Sequence, residues 1–136
     1  MPVTDDDELR SILDYDRIAV VGCSSTPGKA AHSIPKYLDR QGYDVVPVNP
    51  FADEIFGKRA YDSLSEVPGE IDIVDVFRPS EEVSGIVTEA LERDDVKVIW
   101  LQLGIHDDDA VARAERAGQA VVEDRCMKPE HMRLMS

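Results

Sequence analysis

Residues 18–50 constrain the fold more than any other stretch of this chain. An apolar run, Ile18-Ala19-Val20-Val21, breaks at Gly22 and continues through Cys23-Ser24-Ser25-Thr26-Pro27-Gly28-Lys29. Residues 30–41 then read as a helix, with Ile34, Tyr37 and Leu38 on one face and Gly42 as a stop. Pro35 sits in its first turns, where a missing N–H costs least. A second apolar run, Val45-Val46-Pro47-Val48, ends in Asn49-Pro50. Strand, glycine turn, helix and strand in this order make a unit of parallel sheet. Its turn gathers backbone N–H groups at the positive end of a helix, a place that suits phosphate.

The alternation continues along the chain. Thr4 reads as the cap of a first helix, with acids at 5–8 in its opening turn and Leu9, Ile12 and Leu13 on its apolar face. Residues 71–77, 96–101 and 119–123 read as three further strands. Between them come a helix capped by Ser80 and another over 107–117 closed by Gly118. Residues 128–134 read as a terminal helix. Residues 51–64 are less regular, with a short turn or helix at 53–56 and an extended piece at 59–61. Continuous apolar strands are what a sheet covered on both faces requires. The expectation is one α/β domain over residues 1–136. It is a Rossmann-like, doubly wound parallel sheet of five strands in the order 3-2-1-4-5.

Charge narrows the partners. The chain carries 28 acidic and 15 basic residues, a formal net charge of -13. Nucleic acid and anionic membrane both need a basic face, so neither is expected as a partner. The acids are spread in short clusters, and arginine outnumbers lysine. This reads as an acidic surface of halophilic type. In molar salt the Debye length is only about 3 Å, so an anionic ligand still approaches. No apolar run is long enough for a membrane span, and the acidic first ten residues do not read as a secretion signal. A cytoplasmic location is expected. The two cysteines, Cys23 and Cys126, form neither a disulfide framework nor a metal-ligand pattern.

In doubly wound sheets ligands bind beyond the carboxyl ends of the strands. That rule selects five loops: 22–29, 49–50, 77–79, 102–106 and 124–126. The first departs from the GxGxxG dinucleotide fingerprint. Ser24 replaces its second glycine and Pro27 its third, while Ser24 and Ser25 offer hydroxyls and Lys29 a positive charge. NAD binding also uses an acid at the end of the second strand to hold the ribose diol. Val48-Asn49-Pro50 stands there instead. A nucleotide with a phosphorylated ribose fits better, and NADP and coenzyme A both qualify.

Taken together, these motifs carry a resemblance. Gly22-Cys23-Ser24-Ser25, Val46-Pro47-Val48-Asn49-Pro50, Asp72-Ile73-Val74-Asp75-Val76-Phe77-Arg78, Trp100-Leu101-Gln102-Leu103-Gly104 and Asp124-Arg125-Cys126 form the pattern. It resembles the small stand-alone CoA-binding proteins (YccU-like), whose fold is similar to the CoA-binding domain of the succinyl-CoA synthetase α subunit. The resemblance implies that Gly22, Ser24, Ser25 and Lys29 contact phosphates. It implies that Asn49, Pro50, Phe77, Arg78 and Pro79 line the adenine and ribose region. Gln102, Leu103, Gly104 and Ile105 would complete the far wall. The synthetase's active-site histidine belongs to a domain outside the resemblance, so binding is implied and no catalytic residue.

Several residues have a second reading. Arg78 contacts phosphate or adenine, or else pairs with Glu81 or Glu82. Lys58 and Arg59 are further partners for a ribose phosphate. Cys23 reads as a small packed residue. Cys126 has Arg125 and Lys128 beside it, neighbours that lower a thiol pKa, and His131 lies five residues on. It is either half of a thiol–histidine pair, or a structural cysteine before the last helix. The leading expectation is a protein that binds CoA or acyl-CoA, with no catalytic set and no metal. The alternatives are an NADP-dependent oxidoreductase and a thiol-based redox protein using Cys126. A homodimer is left open.

Overall fold

A computed structural model describes residues 1–135. In chain order the strands are β1 (Arg17–Val21), β2 (Asp44–Val48), β3 (Glu54–Ile55), β4 (Lys58–Arg59), β5 (Ile73–Val76), β6 (Val98–Leu101) and β7 (Ala120–Val122). The helices are α1 (Asp6–Leu13), α2 (Ala30–Arg40), α3 (Val83–Arg93), α4 (Asp108–Arg116) and α5 (Met127–Leu134). The five apolar runs form one parallel sheet, ordered β2-β1-β5-β6-β7. Side chains alternate across it. Ile18, Val20, Ile73 and Trp100 pack with Leu9, Leu38 and Met127 from α1, α2 and α5. Ala19, Val74, Ile99 and Val121 pack with Val87 and Ala114 from α3 and α4. Burying each such branched or aromatic side chain contributes roughly 1.5–3 kcal/mol, which explains why both faces are covered.

The strand order corrects the sequence expectation. Counting only the sheet strands, it is 2-1-3-4-5, with the third run in the centre. All four residues of β5 are buried, a pattern that suits a central strand. The outer edge of β2 is already taken. Tyr61 bridges Val48 in parallel, and the Tyr61 N–H donates to the Pro47 carbonyl. The link from β2 therefore crosses back over β1. It runs on the α3 and α4 side, where Leu64, Val67 and Ile71 join the core, as a right-handed crossover demands.

Local chemistry explains the remaining differences. Asp5, not Thr4, caps α1, its carboxylate accepting from the Glu8 N–H at 3.1 Å. Residues 53–61 hold a small antiparallel hairpin, β3 with β4, turned by Phe56 (φ 57°) and Gly57 (φ 73°). Two positive φ angles in succession are the signature of a tight hairpin turn, and a phenylalanine there hides it from sequence patterns. Ser80 does not cap α3. It begins a single 3-10 turn, Ser80–Glu82, and its hydroxyl accepts from the His106 N–H. Pro35 lies at the sixth residue of α2, beyond the first turn. Its missing N–H frees the Ala31 carbonyl, which accepts from the Ser24 N–H at 2.8 Å.

Candidate functional site

At the carboxyl edge, β1 feeds α2 on one face and β5 feeds α3 on the other. The chain parts in opposite directions from neighbouring strands, and a crevice opens between them. It is a cavity of about 720 Å³. Its walls come from the β1–α2 loop, the end of β2, residues 62–64 of the crossover, and the start of α3.

The floor depends on Gly22. Its φ is +88°, and an added Cβ would stand 2.7 Å from Arg78 Cδ and 3.1 Å from the Phe77 carbonyl. Only glycine lets the two strand ends approach this closely. The loop beyond it is fixed from inside. The Ser24 N–H goes to Ala31, the Ser24 hydroxyl accepts from the Thr26 N–H at 3.0 Å, and His32 Nδ1 meets the Ser24 carbonyl at 2.8 Å. Lys29 is the N-cap of α2 and gives no side-chain cap. The first-turn amides of Ala30 and Ala31 therefore have no intrahelical partner, and Ala31 lines the cavity. An uncapped helix start beside a lysine favours an anion.

Asn49 braces the second wall. Its Nδ2 donates to the Cys23 carbonyl at 2.9 Å, and its Oδ1 accepts from the Phe51 N–H at 2.8 Å. One amide side chain thus ties the end of β2 to the end of β1. Arg78 reaches Glu82 through two hydrogen bonds, Nε to Oε1 at 3.2 Å and Nη2 to Oε2 at 2.6 Å. This is the ion-pair reading of Arg78, and the guanidinium holds the Glu82 carboxyl below its usual range. The cavity lining carries Lys29 and Arg78 against Asp62, Glu82 and Glu89.

Of the residues singled out from sequence, Gly22, Ser24, Lys29, Asn49, Pro50, Phe77 and Arg78 line this cavity. Ser25, Pro79, Gln102 and Gly104 do not. Ser25 is exposed on the loop, and Pro79 sets the turn that brings Glu82 inward, its carbonyl accepting from the Glu82 N–H. Gln102 is buried and donates through Nε2 to Asp75 Oδ1. Gly104 donates its N–H to Asp124 Oδ1 at 2.6 Å. Lys58 pairs with Asp39 at 2.8 Å, and Arg59 lies over the Tyr61 ring.

Asp75 was hidden in an apolar run. It is fully buried, and burial pushes its carboxyl up to about 7 despite the Gln102 bond. Its Oδ2 has no hydrogen-bond partner among the described residues. Burial also pushes the Cys23 thiol up to about 12 and raises Cys126. The thiol–histidine expectation is corrected here. Desolvation outweighs the neighbouring cations at Cys126, Arg125 pairs with Glu130, and His131 Nδ1 meets the Tyr37 hydroxyl at 2.8 Å. Cys126 faces a separate hollow of about 740 Å³ beyond β7, walled by residues 1–4. Phe51, Asp62, Ser63, Ile86 and Glu89 line the main cavity and escaped sequence reasoning. The correct strand order would have found 62–64, because a 2-1-3 crossover passes over the mouth of β1.

Comparison with known proteins agrees with this geometry. The sequence model of the CoA binding domain matches residues 16–132. The uncharacterized protein YneT of Bacillus subtilis is 42% identical over 125 residues, which cover 91% of this chain and 92% of that one. The alpha subunit of an ADP-forming acetate–CoA ligase II from Pyrococcus furiosus is 29% identical over 130 residues. That match takes in 85% of this chain but 28% of the ligase subunit. The solved structure described as a hypothetical protein from Pyrococcus horikoshii OT3 superposes with a TM-score of 0.94 at 37% identity, covering 100% of this chain and 97% of that one. The matched span holds every sheet strand and every wall of the main cavity, and on that ground the chain belongs to the CoA binding domain family.

Proposed function

We propose that this protein binds coenzyme A or an acyl-CoA in the cavity between the ends of β2, β1 and β5. The observation that carries the reading is the wall at Asn49. An acid there would grip a ribose diol and repel a ribose phosphate. Asn49 is neutral, and both ends of its amide are engaged in holding the loops. Family membership supports the same ligand. The uncapped start of α2, with Lys29 and Ser24 beside it, suits the diphosphate, and Arg78 is the second cation within reach. Hydride transfer draws no support, since the described lining holds neither a tyrosine nor a histidine as proton donor. The chain spans under a third of the ligase subunit it matches, so the ligase's reaction is not carried over.

The proposed setting is cytoplasmic and salt-rich. Among the described residues no helix is long and apolar enough to cross a membrane. Three carboxylates in the lining argue for high salt, where their repulsion of an anion is screened within about 3 Å. Calorimetric titration with CoA, acetyl-CoA, NADP and NAD in molar salt tests the reading. Micromolar or tighter binding of a CoA species is the expected result. Tight NADP binding with none of CoA overturns it.

A further inference from the structure

We propose that Phe51 is the platform on which the adenine of the bound nucleotide stacks. The inference rests on the CoA reading and adds the residue that grips the base. Phe51 is 96% exposed, whereas the next most exposed aromatic among the described residues, Tyr15, is at 36%. A phenylalanine left fully in water forgoes the roughly 1.5–3 kcal/mol that burial would give it. Single exposed apolar side chains are ordinary on a surface. This one lines the main cavity together with the apolar side chains of Val48, Pro50, Leu64 and Ile86. Gly22, Ser24 and Lys29 line the same cavity.

Phe51 and the β1–α2 loop are tied together. Asn49 accepts from the Phe51 N–H and donates to the Cys23 carbonyl, so one side chain sets the aromatic against the loop that meets phosphate. Strands β1 and β2 are neighbours, about 4.8 Å apart, so Phe51 and the β1–α2 loop lie within the span of one nucleotide. An aromatic face covering a purine costs no desolvated polar group, and every base offers a π-face. The rim acids Asp62 and Glu89 suit a base with an exocyclic amine, which donates, over one with an exocyclic carbonyl.

The test titrates the full chain and its Phe51→Ala, Phe51→Leu and Phe51→Trp variants with CoA and with adenosine 3′,5′-bisphosphate. Base–aromatic stacking predicts a loss of roughly 5- to 160-fold for Ala toward both ligands. Leu restores apolar area without a π-face and stays weaker than wild type, while Trp binds at least as tightly as wild type. Wild-type affinity for the bisphosphate in Phe51→Ala overturns the inference, as does a Trp variant as weak as Ala. Those results leave CoA binding standing. Failure of the wild-type chain to bind any CoA species removes the parent reading and this one together.

Discussion

The carboxyl edge of the sheet has two halves that sequence made look alike. Around β2, β1 and β5 the strand ends open into a cavity. Around β6 and β7 they turn their polar groups on one another. Gln102 faces inward to Asp75, Gly104 holds Asp124, Trp100 Nε1 donates to the Arg125 carbonyl, and Arg125 holds Glu130. The helices alone do not make the difference. The chain leaves β1 and β5 for opposite faces, and it also leaves β6 for the face of α3 and α4 and β7 for the face of α1, α2 and α5. A polar loop at a strand end is a brace where a buried carboxylate or a neighbouring loop takes its polar groups, as Asp75 takes Gln102 and Asp124 takes Gly104.

Substitutions on each half sharpen that contrast. Gly22→Ala is expected to do the most. An L-residue at positive φ costs on the order of 1–3 kcal/mol, and the new Cβ meets the Phe77 backbone as well as Arg78. Thermal unfolding should show that loss, and calorimetry at least about a tenfold weaker CoA affinity. Wild-type binding in this variant would mean that the strand ends need not approach.

On the other half, Asp75→Asn should alter pH dependence and leave the ligand alone. Burial raises this carboxyl from 3.8 to about 7, so the folded chain keeps a proton that the unfolded chain releases between those values. The folded state then binds more protons, and the contribution of Asp75 to stability falls as pH rises through that window. It is full below about pH 4, and by about pH 8 the loss is on the order of 4 kcal/mol. The difference in unfolding free energy between wild type and Asp75→Asn, from denaturant melts across that range, should shift in favour of the variant. A difference flat with pH would show that Asp75 is ionised in the fold throughout.

Smaller effects separate the halves further. Glu82→Gln frees Arg78 and removes a cavity carboxylate. An exposed i,i+4 pair is worth about 0.3–0.5 kcal/mol, so CoA should bind roughly twofold tighter. Weaker binding would mean that Glu82 itself holds the ligand. Cys126→Ser, in the hollow beyond β7, should leave CoA affinity within about twofold of wild type. A larger loss would join the two halves into one site.

The strands were readable because residues buried on both faces leave continuous apolar runs. Their order was not, since nothing in Ile73-Val74-Asp75-Val76 states which neighbour it takes. The decision lay in residues 53–61, whose hairpin turns at Phe56, a residue type that gives no turn signal. That Gly22, Ser24 and Lys29 share the cavity was legible from the glycine turn after the first strand. The resemblance implied a far wall of Gln102, Leu103, Gly104 and Ile105, and nothing in the sequence tells that Gln102 is taken by the buried Asp75 and Gly104 by Asp124. Phe51 and Asp62 went unseen because their position depends on the path of the crossover.

Pro35 gives the last consequence. A helix with a full set of hydrogen bonds would have no carbonyl to lend, and the β1–α2 loop would be left to order itself on each encounter. The gap in α2 holds Ser24 through Ala31 before any ligand arrives. Little chain entropy remains to be lost on association, so binding should run with a small heat-capacity change beyond that of the area covered. Differences in affinity between ligands should then appear in how slowly they leave.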